Sequence, residues 1–191
     1  MNKHMMLQLL FVTAMATAFN VRGATGNLIV FDDADENGFS HANSIYGAGT
    51  VFYNATTTVH GGTVSVAILD QQSSAASWLA PIPYSTFSDY DGVSFWVNGG
   101  SNGGEDVTVV LYNQLDLVGT TSLASLYGAP IPASTWIHLQ LSFFSPLFNP
   151  AGDNATTFTD ITFRSHSGSS TIFFLDDIAL TGVDIFKSDF E

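Results

Sequence analysis

Apolar and polar residues alternate along this chain over short runs, and a period of two marks strands with one buried face. In TVSVAIL (63–69), Val64, Val66 and Ile68 share a face. In GVSFWVNGG (92–100), Val93, Phe95 and Val97 oppose Ser94, Trp96 and Asn98. In TWIHLQLSFF (135–144), Ile137, Leu139, Leu141 and Phe143 oppose Trp136, His138, Gln140 and Ser142. NLIVFDD (27–33), TVFYNATTTV (50–59), DVTVVLYNQ (106–114), FTDITFRSH (158–166) and TIFFLDDIALTGV (171–183) add further strand-like runs. Turn signals separate them: Asn37-Gly38, His60-Gly61-Gly62 and GGSNGGED (99–106). The stretch 70–77 reads as loop, 78–92 as irregular because of Pro81 and Pro83, and 117–134 as mixed. The count, about eight to ten strands, is that of an all-β sandwich or barrel, with no helix predicted in the body of the chain.

The N-terminus breaks this pattern. MMLQLLFVTAMATA (5–18) is an apolar run after Lys3, too short for a comfortable membrane span. Ala16-Thr17-Ala18 has the small-x-small form of a cleavage site, and Ala24 offers a second. Residues 1–24 therefore read as a secretory signal peptide cut after Ala18 or Ala24, residues 27–183 as one domain, and 184–191 as a short C-terminal tail. The expected location is secreted, extracellular or periplasmic, with no membrane anchor.

Composition narrows the partners. The 191 residues suit a single domain, and 46% hydrophobic residues allow a real core. A net charge of −13, from 17 acidic and 4 basic residues, repels phosphate backbones and argues against nucleic acid and anionic membranes. It suits neutral ligands or cations. The absence of cysteine removes thiolate chemistry and disulfides. His41, His60, His138 and His166 show no metal-motif spacing, and no G-x-S-x-G elbow is present.

Two acidic pairs stand out. Asp32-Asp33 ends the first strand-like run, and Asp176-Asp177 interrupts the last. Carboxylates rarely sit buried without partners. In a sandwich whose first and last strands lie side by side, the pairs converge, and their repulsion calls for neutralisation. A Ca²⁺ held by Asp32, Asp33 and Asp176 would supply it. Strand ends that accept backbone N–H groups are the alternative. Continuous alternation groups Asp176 with Phe174, Ile178 and Leu180, and puts Asp177 opposite.

The aromatics suggest binding. A sugar's C–H face stacks on an aromatic ring while its hydroxyls need polar partners. Trp96, with Asn98 beside it, lies opposite the core-like face of its strand. Trp78, Tyr84 and Tyr90 are candidates for a rim.

The ordered set LIVFDDADENGF, VHGGTVSVAI, YDGVSFWVNGG, VTVVLYN, TWIHLQLSF and FFLDDIAL resembles the galactose-binding-like jelly rolls of carbohydrate-binding modules found on secreted bacterial proteins. The resemblance implies a two-sheet antiparallel jelly-roll β-sandwich, sugar binding through aromatics, and one structural Ca²⁺ with Asp176 as the inward-facing acid. The expected function is non-catalytic binding of a neutral polysaccharide by a monomer. A self-associating structural, matrix or adhesin-type domain is the alternative, and a small polysaccharide-acting enzyme a third reading.

Overall fold

The computed structural model of the chain describes residues 26–42, 50–69, 74–81, 85–86, 90–104, 106–114, 116–148, 157–166 and 172–182. The leader, Tyr84 and the tail lie outside them. The strands in the first half are β1 Leu28–Asp32, β2 Ala34–Asp35, β3 Ser40–Ala42, β4 Thr50–Ala55, β5 Ser65–Leu69, β6 Ala75–Leu79 and β7 Ser85–Thr86. Then follow β8 Tyr90–Asn98, β9 Val107–Asn113, β10 Asp116–Ser122, the helix α1 Leu123–Tyr127, β11 Trp136–Ser142, β12 Thr157–Phe158, β13 Asp160–Ser165 and β14 Ile172–Gly182.

These strands build two antiparallel sheets. The larger runs β11-β8-β14, and the far edge of β14 is shared. Its first half, Ile172–Leu175, pairs with β5, which pairs with β4. Its second half, Ile178–Leu180, pairs with β1, which pairs with β2. The smaller sheet has the order β10-β9-β13-β6-β3, and β7 pairs with β12 in a separate ribbon. The first and last strands do lie side by side, as the placement of the acidic pairs required.

The core fills the space between the sheets. Val93, Phe95 and Val97 of β8 face it, as do Val107, Val109 and Leu111 of β9, and Ile161 and Phe163 of β13. Phe95 meets Phe163 edge to face at 4.8 Å. Each such side chain, fully buried, stabilises the fold by roughly 1.5–3 kcal/mol.

Three local features differ from the sequence reading. Ala75–Leu79 is a strand, β6, where loop was predicted up to residue 77 and an irregular stretch after it. Its small residues Ala75, Ala76 and Ser77 hide the pattern, and pairing with β13 and β3 supplies the order. The helix α1 is a single short turn, opened by Ser122 accepting from the Ser125 N–H and closed by Gly128 at φ 82°. Lastly, β14 does not alternate continuously. Asp177 sits at φ 47°, and the pairing with β8 slips between Asp176 and Ala179. This bulge changes the parity of the strand. Phe173 and Leu175 face the core before it, and Ile178 and Leu180 after it. Asp176 therefore shares its face with Phe174 but not with Ile178 or Leu180.

Candidate functional site

The bulge lies where the far edge of β14 passes from β5 to β1, and the β4–β5 loop fills that gap. Three aspartates hold the loop. Asp33, just past β1, accepts through Oδ1 from the Thr63 and Val64 N–H groups at 2.6 and 2.7 Å. Asp176 accepts through Oδ2 from the His60 N–H at 2.9 Å and, more weakly, from Gly61 at 3.4 Å. Its Oδ1 accepts from the Asp177 N–H at 2.9 Å. Asp177 meets His60 Nδ1 through Oδ2 at 2.6 Å. A carboxylate only accepts, so this bond places the imidazole hydrogen on Nδ1.

Asp176 and Asp33 are shifted in opposite directions. Asp176 is 0% exposed. Burial raises its pKa, against the lowering effect of the His60 and Asp177 N–H groups. The Val64 N–H, followed by that of Thr63, lowers the pKa of Asp33. The acidic pairs thus converge, as expected, but around a loop. Asp32 is exposed. Asp33 Oδ1 and both Asp176 oxygens, from two of the three residues named for Ca²⁺, accept from backbone N–H donors. Among the described residues, no group of three His, Asp or Glu gathers into a metal-binding set.

The loop carries His60 onto the outer face of the larger sheet. Its ring stacks on Trp96 at 3.7 Å between centroids and 17° between planes. It meets Trp136 edge-on at 5.7 Å, and Trp96 contacts His138 at 5.1 Å. Trp96 does face outward, as its strand pattern implied, but one side of its ring is covered by an imidazole.

Register places a second set of side chains beside this cluster. Phe52 pairs with Ala67, Ala67 with Phe174, Phe174 with Asn98, and Asn98 with Trp136. These five residues cross the outer face from β4 to β11 in one row, at right angles to the strands. With strands about 4.8 Å apart, Phe52, Phe174 and Trp136 recur about every 9.6 Å. Phe52 is 50% exposed and Phe174 8%. A depression of about 430 Å³ lies over the middle of the row, lined by Thr58, Asn98, Ser101, Ser134, Ile172 and Phe174 among others. Asn98 Oδ1 accepts from the Gly100 N–H at 2.9 Å, which orders the turn bordering the depression.

Trp78 and Tyr90, also predicted for a rim, are not brought here. Trp78 is 0% exposed, in the core between the sheets. Its ring packs against Phe31 and Phe163, and its Nε1–H donates to Asp35 Oδ1 at 3.1 Å. It has no free face for a sugar, because β6 turns it inward. Tyr90 packs against the core at the opposite end of β8, about 26 Å of strand from Asn98. Of the candidates for binding, Trp96 and Asn98 come together. His60, Phe52, Phe174 and Trp136 join them without having been candidates. The outward alternation of Trp136 with His138 was the one signal in the sequence that pointed to any of these four.

No protein-family model matches this sequence, and no curated protein matches it. Solved structures do. A family 30 carbohydrate-binding module of a cellulosomal cellulase from Clostridium thermocellum superposes with a TM-score of 0.60 at 16% identity, covering 83% of this chain and 98% of that one. The family 11 module from Clostridium thermocellum, in complex with a β-1,3-1,4-mixed-linked tetrasaccharide, gives 0.55 at 15% identity, over 84% and 98% of the two chains. A family 29 module variant complexed with mannohexaose gives 0.51 at 15%, over 83% and 92%. The chain has the jelly-roll sandwich fold of these carbohydrate-binding modules.

Proposed function

We propose that this protein is an exported, monomeric, non-catalytic module that binds an extended neutral glycan across the outer face of its larger sheet. The observation that carries this reading is the row Phe52–Ala67–Phe174–Asn98–Trp136, with a depression at its centre. Rings on every second strand recur at close to the length of a disaccharide unit in an extended β-linked chain. Each can stack on a sugar face, while Asn98, Ser101 and Ser134 offer polar contacts. The face carries no lysine or arginine among these residues, and the net charge of −13 disfavours anionic polymers. Asp33, Asp176 and Asp177 are committed to holding the β4–β5 loop, which supports binding without chemistry. The similar solved modules bound to a mixed-linked tetrasaccharide and to mannohexaose add support at the level of the fold.

The test is affinity electrophoresis of the mature domain in gels containing soluble β-glucan or mannan. Retardation by at least one polymer is expected, with apparent affinity about tenfold weaker in Trp136→Ala, a loss of about 1.4 kcal/mol. Wild-type mobility unchanged in every polymer would overturn the reading. The second reading, self-association, draws on Leu117, Phe144 and Leu147, each more than half exposed. Concentration-dependent sedimentation without glycan retention would favour it.

A further inference from the structure

Left-handed backbone gathers at one glycine of the β4–β5 loop and at two aspartates, outside that loop, that hold it. Asp33, Gly62 and Asp177 all occupy the left-handed region, at φ 60°, 60° and 47°. At Gly62 an added Cβ would fall 2.2 Å from Asp33 Oδ2, so only glycine allows the aspartate to reach the loop. Asp176 is wholly buried to hold the His60 and Gly61 N–H groups. Strain of this kind persists where the surroundings over-determine it, and it clusters at ligand clamps.

What the strain holds in place is the His60 ring. It is fixed from below by stacking on Trp96 and from the side by Asp177. Its Nδ1 is taken by Asp177, and Nε2 has no hydrogen-bond partner among the described residues. The ring lies edge-on to Trp136, whose paired neighbour Asn98 lines the depression. Thr58, two residues earlier in the same loop, lines it as well. The loop is therefore a wall along one side of the aromatic row, and it carries Thr58 at the depression and His60 beside Trp136.

We infer that His60 is the specificity-determining residue of this face, reading a hydroxyl of the bound sugar through Nε2, with Asp176 and Asp177 as its positioning residues. The inference rests on the proposed glycan reading and adds to it which group distinguishes one sugar from another. Aromatic rings tolerate any pyranose that offers a C–H face. Discrimination between sugars that differ at one hydroxyl needs a fixed polar partner, because a site built to bond a hydroxyl is penalised when that hydroxyl is missing or misdirected. A histidine held at two points meets that need at little ordering cost on binding.

The experiment is titration calorimetry with cellohexaose, mannohexaose and xylohexaose, which differ from one another in the C2 hydroxyl or the C5 hydroxymethyl group. Wild type, His60→Ala, Asp177→Asn and Trp136→Ala are compared. The expected result is that His60→Ala changes the affinity ratio between the best and second-best sugar by about tenfold, and Asp177→Asn changes it in the same direction. Trp136→Ala should weaken all three alike and leave the ratio near that of wild type. A ratio unchanged in His60→Ala, while wild type binds, would overturn the role of His60 and leave the glycan reading standing. No binding of any hexasaccharide by wild type would overturn both. Melting curves separate an unfolded variant from a specific one, and His60→Gln, which keeps a polar side chain, should restore part of the ratio if loop disruption is not the cause.

Discussion

Asp33 and Asp176 hold the same loop, yet they respond to pH with opposite sign. The unfolded reference for both is 3.8. The folded pKa of Asp33 lies below it, so Asp33 stabilises the fold above the reference value, and this is lost as pH falls through the lower folded value. The folded pKa of Asp176 lies above it, so its contribution is full below the reference and is lost as pH rises through the raised value. Neutral isosteres should reveal this in urea unfolding between pH 2.5 and 7. Asp33→Asn should cost stability at pH 6, with the difference from wild type vanishing at the acid end. For Asp176→Asn, wild type should gain on the variant as the solution is acidified from pH 6 towards the reference value. Parallel profiles for the two variants would contradict the assigned environments.

At the scale of elements, β14 shows what the sequence reveals and what it hides. That TIFFLDDIAL is a buried strand was legible from its apolar residues, and so was the need of its acids for partners. The bulge was not, because a single residue at φ 47° leaves no trace in a hydrophobic pattern; the parity change is visible only once the pairing with β8 and β1 is known. Likewise His60-Gly61-Gly62 was legible as a turn. Its landing on Trp96 was not, because that contact joins a loop residue to a strand outside the β4–β5 hairpin. Gly62 tests the whole arrangement. Gly62→Ala places a Cβ against Asp33 and forces alanine into the left-handed region, which alone costs about 1–2 kcal/mol. A drop in Tm of about 3–6 °C or more is expected. Gly61 has no positive φ, and its Cβ would sit 3.3 Å from the Asp177 carboxylate, so Gly61→Ala should be milder. Equal melting of the two variants would show that the loop does not depend on the Asp33 contact.

Across the whole molecule, the sandwich was legible because alternation is a property of each strand, whereas the row proposed to bind glycan belongs to five strands at once. Phe52, Phe174 and Trp136 stand far apart in sequence and align only through register. The same distinction bears on the expected Ca²⁺. The sequence offered Asp32, Asp33 and Asp176 as ligands because the terminal strands bring acids together, and β1 and β14 do so. Two of these acids satisfy backbone N–H groups of the β4–β5 loop, bonds that stabilise a fold most when the donors would otherwise be buried without partners. A ligand that binds only the native state raises its stability with concentration. If the hydrogen bonds suffice, melting of a protein spanning residues 27–183 in EDTA and in millimolar CaCl₂ should agree within about 1 °C, whereas a saturating metal at a hundred times its Kd would add about 2.7 kcal/mol and raise Tm by several degrees. A calcium-dependent rise abolished by Asp176→Asn would mean that this loop closes around a cation instead of around its own amide hydrogens.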